Sequence, residues 1–465
     1  MWDKICSVTD FLWGTPLMIL MIGVGLFLTI RTGFFQLTGI RTWWKKTVGE
    51  IADKNKKKGN GKGELTPFQT LSTVLAGTVG SGNIAGVASA IAIGGPGAVF
   101  WMWIISIVGM MTKMAEVSLS VAFRKTGDNG EFYGGPMHYM KQGLGRFGII
   151  LAAIYAVALL IEVCTDACFV QVNTLAVCVN DVFGVPLLIS GIVVVVTSFI
   201  LVQTGGVTKI GKFCEKMVPG MIVIYIVACL AVVIANIAKV PEAFGLIIKY
   251  AFAPAPAIGG FAGSTISLAM ARGASRGIFS NEAGMGTAAT VHATAKTDHP
   301  AHQGMYGILE VFVTIIICTL TALTVLCSGV WSNGHDGVVL TFDGFRTLGE
   351  QAPILGAIGV GILGIAVFLF TYSSYIGFFV EFRTCVEYIF GAKAMKWIKY
   401  MFFILPILAV TLEVKQIWNL ADIAVGFIVV PNMIALAALS PKFVKLFREY
   451  RDSCSKPEGN DSQED

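Results

Sequence analysis

The chain has 465 residues, of which 55% are hydrophobic and only 14% charged, with a mean hydropathy of +0.73 and a net charge of +5. That balance excludes an ordinary soluble domain and describes a protein whose solvent is the bilayer. The small positive charge carries no nucleic-acid signal, because it resides in loops between long apolar runs, where it suits an anionic leaflet.

The first charge-free run covers 11–30, long enough for the roughly 20 residues of a spanning helix. It continues into Arg31-Thr32-Gly33 with no small-residue cleavage site, so it reads as a permanent helix and not a signal peptide. Phe34, Phe35, Trp43 and Trp44 then interleave with Arg41, Lys45 and Lys46, the pattern of an interfacial amphipathic helix. The lysines between 54 and 62 form a topology-setting basic loop. The run 65–112 is too long for one span, and Gly94-Gly95-Pro96-Gly97 divides it into two. Inside its first half, 77–86 reads GTVGSGNIAG. Glycine in a helix interior costs about 1 kcal/mol relative to alanine, so the helix is expected to open there. Unwound backbone at membrane depth belongs where it lines a cavity.

Further spans are expected at 147–179, 182–208, 217–238 and 258–271; the first contains Glu162 and Asp166, and the last runs into a second break at 273–286, GASRGIFSNEAGMG. Runs at 311–335, 351–380, 395–412 and 417–439 follow, with Asp422 near the start of the last. The tail from Lys442 ends in polar and acidic residues and reads as disordered. The expectation is an all-α polytopic membrane protein with eleven transmembrane helices, which sets the termini on opposite sides. Loops 31–67, 123–146, 203–216, 272–303, 381–399 and 440–465 hold 28 of the 34 lysines and arginines. The positive-inside rule makes that side cytoplasmic, with the N-terminus outside. With the first helix set aside, each broken helix opens a five-helix set, and the two sets start on opposite sides. This is the inverted-repeat arrangement of secondary transporters, and it divides the chain into 1–67, 68–240, 241–440 and 441–465.

The ten cysteines have no metal-ligand spacing, and Cys164 and Cys168, one turn apart, read as packing. His292, His299 and His302 read as solvated loop histidines, and Lys113 with Glu116 as a helix-end salt bridge. With no catalytic triad, nucleotide motif or cofactor fingerprint, an enzyme is the poorer reading, and no catalytic residue or resident cofactor is expected. The breaks suit a solute instead. Backbone amides of Gly80, Ser81 and Gly82, flanked by Thr78 and Asn83, point a helix dipole at a carboxylate. Carbonyls near Gly277, Ile278, Phe279 and Ser280 would then face an ammonium group. Gln171 shares a small polar face with Cys164, Ala167, Thr174 and Cys178, whereas Glu162 and Asp166 fall on another face and are functional suspects as intramembrane acids. A coupling cation wants hard oxygens, which Thr371, Ser373 and Ser374 offer; the competing reading is that these hydroxyls bond back to their own helix.

Three strings, AGTVGSGNIAGVASAIAIGGPGAVFWMW at 76–103, Gly134-Gly135-Pro136-Met137, and RGASRGIFSNEAGMGTAA at 272–289, resemble the signatures of the alanine or glycine:cation symporter family, along essentially the whole chain. The resemblance implies a LeuT-type fold of two inverted five-helix repeats behind one extra N-terminal helix. It implies sodium-coupled or proton-coupled import of small neutral amino acids, alanine or glycine, across a prokaryotic plasma membrane. It also implies that Gln171, followed by Asn173 as in the family, contacts substrate, and that hydroxyls at Thr371, Ser373 and Ser374 face the Ala76 and Val79 carbonyls around sodium. The alternatives are a LeuT-fold symporter for another small solute and an uncoupled channel or receptor. Neither a nucleic acid nor an obligate protein partner is expected.

Overall fold

A computed structural model describes residues 12–13, 15–52, 65–126, 132–204, 206–351, 353–410 and 412–455. The lysines of 54–62 and the acidic end of the tail lie outside these residues. The principal helices are α1 (Thr15–Arg31), α2 (Pro67–Thr78), α3 (Val87–Gly94), α4 (Gly97–Ala122), α5 (Gly145–Val163), α6 (Val172–Phe183), α7 (Leu187–Gln203) and α8 (Gly206–Ala235). Then come α9 (Val240–Phe252), α10 (Ile266–Asn281), α11 (Thr287–His292), α12 (Pro300–Ser328), α13 (Gly337–Arg346), α14 (Pro353–Phe390), α15 (Ala392–Ala409) and α16 (Val414–Ser455). One short hairpin pairs β1 (Lys125–Thr126) with β2 (Phe132–Tyr133). Among the described residues six helices are long and apolar enough to cross a membrane, or seven when α2 and the helical stretch Gly82–Gly94, bent by 48°, are taken as one span.

Local sequence sets these boundaries. Thr66 caps α2 by accepting from the Gln69 amide while the Gln69 side chain returns to Thr66, and Pro67 fills a first-turn position where no amide hydrogen is needed. Gly95, at φ 74°, ends α3 and turns the chain into α4. Between α5 and α6 the backbone widens into a π-helical segment over Cys164–Gln171, where a single regular helix was expected.

Helix α4 packs against both α10 and α12. Glycines make that approach close: a Cβ at Gly273 would lie 2.2 Å from the Ala98 carbonyl oxygen, and one at Gly277 would lie 2.6 Å from Ile105 Cγ2. These two glycines therefore serve packing, and α10 runs unbroken through them to Asn281. The expected opening at 273–286 is displaced to its second half. Glu282 at φ 53°, Gly284 at 98° and Gly286 at 78° form the unwound link to α11. Gly273→Ala is expected to destabilise the protein by about 1–3 kcal/mol through overpacking against rigid backbone, seen as a lower denaturation midpoint in detergent.

The tail expectation also needs correcting, since α16 continues to Ser455. Phe443, Val444 and Phe447 are buried, Phe447 meets Phe35 at 4.9 Å, and Tyr450 stacks on His299 and His302. This apolar stripe at helical spacing holds the segment that net polarity had marked as loose. In the aromatic and basic stretch that follows α1, Trp43 is buried against Phe312 while Trp44 stays exposed.

Candidate functional site

The first break lies between α2 and a π-helical turn over Gly82–Gly86. Thr78 closes α2 by donating to the Val74 carbonyl. Val79 and Gly80 leave the helix, which frees backbone groups that must find other partners. The Gly80 amide donates to Asn83 Oδ1 at 3.1 Å, and the Ser81 amide donates to Gln171 Oε1 at 3.2 Å. Ser81 Oγ is buried with no hydrogen-bond partner among the described residues. Space is tight, since a Cβ at Gly80 would sit 2.4 Å from Ser374 Oγ and one at Gly82 would sit 2.8 Å from Phe279 Cδ1.

Asn83 ties the first break to the last turn of α10. While its Oδ1 holds Gly80, its Nδ2 donates to the Ser280 carbonyl at 3.4 Å and to Cys318 Sγ at 3.4 Å. Its own carbonyl accepts from Thr321, which meets Tyr225 at 2.7 Å. The Asn83 side chain thus spans from the first break to the last turn of α10. Gly277, Ile278, Phe279 and Ser280 occupy the last turns of α10, not an unwound stretch; the Gly277 carbonyl accepts from Ser280 Oγ and the Ile278 carbonyl from the Glu282 amide. Carbonyls at a helix C-terminus still form the negative end of its dipole.

Of Thr371, Ser373 and Ser374 on α14, only Ser374 donates to α2 beside the first break, at 2.6 Å from the Ala76 carbonyl oxygen. Thr371 bonds back to Val367, and Ser373 to Phe370 with Met221 Sδ at 3.5 Å. Val79 is buried and its amide donates to the Leu75 carbonyl at 2.8 Å. Glu282 approaches the same region: its Oε1 would lie 3.7 Å from a Cβ at Gly77.

Gln171 reaches the break, whereas Asn173 donates instead to the Leu412 carbonyl at 3.3 Å. Asp166 was expected on a different face from Gln171, yet its Oδ1 accepts from Gln171 Nε2 at 2.9 Å. The cause is the π segment, whose wider turn aligns residues five apart.

Several charged groups had no legible partner in the sequence. Lys113 pairs with Glu310 at 2.8 Å and donates to the Asn281 carbonyl at 3.0 Å, so it is no helix-end bridge to Glu116. Glu116 accepts instead from the Gly284 amide at 2.9 Å and from Asn432 at 2.6 Å, which fixes the second break; Tyr139 bonds to that same Asn432. His292, expected in solvent, is fully buried between Glu310 and Gln303. Arg272 and Arg276, counted with a loop, stand on α10; Arg276 grips Asp422 through two bonds at 2.8 and 2.9 Å and lies 4.3 Å over the Trp418 ring.

Arg276 and Trp418 line a cavity of about 450 Å³ that also touches Ser89, Trp331 and His335. Phe279 packs 4.9 Å from the Trp418 ring and against Gly82 of the π-helical turn. At the rim of the cavity, burial would raise the Asp343 carboxyl, but hydrogen bonds from His335, Asn333 and Arg346 hold it below the usual range.

The sodium:alanine symporter family model matches residues 2–464. Among relatives, the sodium/alanine symporter AgcS of Methanococcus maripaludis is 36% identical over 460 residues, covering 97% of this chain and 98% of that protein. The structure is similar to that of MhsT in complex with L-phenylalanine, with TM-score 0.52 and 13% identity over 85% of this chain and 91% of that one. It is also similar to an Eremococcus coleocola manganese transporter, with TM-score 0.53 and 13% identity over 86% and 81% of the two chains. These likenesses show a LeuT-type transporter fold.

Proposed function

The chain belongs to the sodium:alanine symporter family, and we propose that it carries alanine or glycine into a prokaryotic cell together with sodium, by alternating access between the two breaks. In this reading it is a multi-pass membrane protein with eleven spans, outer N-terminus and cytoplasmic C-terminus, built as inverted repeats over 68–240 and 241–440.

The observation that carries this reading is Asn83, which joins the Gly80 amide of the first break to the Ser280 carbonyl in the last turn of α10, just before the second break. A solute carboxylate takes the place of Gln171 Oε1 at the Ser81 amide, with Ser81 Oγ and the amides of Gly80 and Gly82 as further donors and Thr78 beside them. The ammonium group faces the carbonyls of Gly277, Ile278, Phe279 and Ser280. Phe279 packs so close to Gly82 that a Cβ there would lie 2.8 Å from its ring, and this crowding favours a small solute. Sodium takes the Ala76 carbonyl and Ser374 Oγ as its first ligands, with Val79, Thr371 and Ser373 completing the shell. Because Thr371 and Ser373 bond to their own helix, Ser374 is the decisive hydroxyl. Ser374→Ala is expected to raise the sodium concentration for half-maximal alanine uptake about tenfold, equivalent to about 1.4 kcal/mol. An unchanged sodium dependence puts the ion elsewhere. An uncoupled channel or receptor on this fold predicts flux, or binding, that ignores the sodium gradient.

A further inference from the structure

The stretch that follows α1 has one face fastened to the molecule and one face left bare by the described residues. Gly33 and Phe34, at φ 69° and 56°, turn the chain out of α1. Two short helices, Phe35–Thr38 and Ile40–Trp44, then run into a π-helical turn over Lys45–Gly49. The inner face is fixed by Phe35 against Phe447, by Trp43 against Phe312, and by a chain of bonds in which Trp43 Nε1 donates to the Gln36 carbonyl at 3.2 Å and Gln36 Nε2 donates to Thr29 at 3.0 Å. On the outer face, Leu37, Ile40 and Trp44 are 52%, 49% and 44% exposed. Arg41 and Lys45 share that exposed face.

The charge on this face has no internal counterpart. Residues 31–49 hold four lysines and arginines and no acidic residue. The first acid, Glu50, is bonded to His302 at 3.1 Å. Arg41 and Lys45 make no ion pair among the described residues. From α16, which Phe447 brings alongside, the exposed Lys442, Lys445 and Arg448 outnumber Glu449 and add charge of the same sign. Depth fits a headgroup layer as well. Met21 packs beside Gly284 in the second break, with its Cε 3.4 Å from where a Cβ there would lie. Arg31 ends α1 ten residues later, which is about 15 Å along a helix, or about half the thickness of the hydrocarbon core. Apolar and basic side chains mixed on one exposed face at that level are the mark of a helix lying in a charged interface, and tryptophan is at home there.

We propose that this face is the seat of an anionic phospholipid, with Arg41 and Lys45 on its phosphate and Leu37, Ile40 and Trp44 against its acyl chains. Charge complementarity selects the lipid: a zwitterionic headgroup brings its own cation, whereas an anionic one leaves its charge for the two side chains. A guanidinium suits phosphate geometrically, and an ammonium adds a point charge. The bound lipid covers the outer face while the inner face stays on α12 and α16, so the stretch is held from both sides. The site is independent of which solute the protein carries.

The test uses the purified full-length protein in bilayers of phosphatidylcholine and phosphatidylglycerol, with one of the two lipids brominated on an acyl chain. Bromine quenches tryptophan fluorescence on contact, and subtracting the quenching seen in Trp44→Phe isolates Trp44. The Trp44 signal should reach half-quenching at an about fivefold lower fraction of brominated phosphatidylglycerol than of brominated phosphatidylcholine. Salt at about 1 M, which shortens the Debye length to about 3 Å, should close that gap, and so should Arg41→Gln made together with Lys45→Gln. Equal curves for the two lipids in wild type overturn the proposal. So does a preference that the double variant keeps, which puts the anionic lipid elsewhere. A Trp44 that neither lipid quenches also overturns it, because a second copy of the chain or another protein then covers the face. Should a variant fail to fold, native mass spectra of the wild type from equal lipid mixtures decide: phosphatidylglycerol must stay attached in excess, and equal retention of the two lipids overturns the site.

Discussion

Asn83→Ala is expected to abolish sodium-stimulated alanine uptake in proteoliposomes while leaving a folded, monodisperse protein. Asn83 is fully buried, and its one side chain satisfies the Gly80 amide of the first break and the Ser280 carbonyl in the last turn of α10. Alanine in its place fills the backbone position but leaves both groups without a partner. Each unsatisfied buried group costs roughly 1–3 kcal/mol, a penalty the first break relieves by rearranging, at the expense of the geometry that binds the solute. The first break would also lose the strut that holds it against α10. The helices themselves retain their packing, so the loss should appear in uptake far more than in the denaturation midpoint. Uptake that matches wild type would remove Asn83 from the site.

Asp422→Ala should have the largest effect on stability. Asp422 accepts two bonds from Arg276, one from Ser275 at 2.8 Å and a longer one from Arg272 at 3.4 Å. Arg276 is 1% exposed, so deleting its carboxylate leaves a buried, uncompensated cation. Breaking a buried pair in this way costs about 3–5 kcal/mol. Arg272 is more exposed and bonds at the longer distance, so Arg272→Ala should lower the denaturation midpoint far less. The Asp422→Asn and Arg276→Gln pair of changes, made together, should recover part of the loss, because no full charge is then left alone. Equal midpoints for Asp422→Ala and Arg272→Ala would show that the pair does not hold α10 to α16.

The first break was legible because glycine, serine and asparagine interrupt an apolar run, and Gly80, Ser81 and Asn83 do leave or reorganise the helix there. The second was legible only as a region. Its glycines serve two purposes that sequence does not distinguish: Gly273 and Gly277 admit α4, while Gly284 and Gly286 take up left-handed backbone. The contact between Asp166 and Gln171 was hidden because regular helical spacing separates them, and nothing in the residues announces a π segment. Lys113, Arg276 and His292 were visible as single charged or titratable groups, but their partners come from other helices. Pairings of that kind follow from the packing of α4, α10, α12 and α16, which local pattern does not encode.

Coupling is the central claim, and uptake of labelled alanine into proteoliposomes tests it most directly. An inward sodium gradient should drive internal alanine above its external concentration, and replacing sodium with choline should abolish that accumulation. Equal entry in sodium and choline, rising only to equilibrium, would contradict symport and identify an uncoupled pathway.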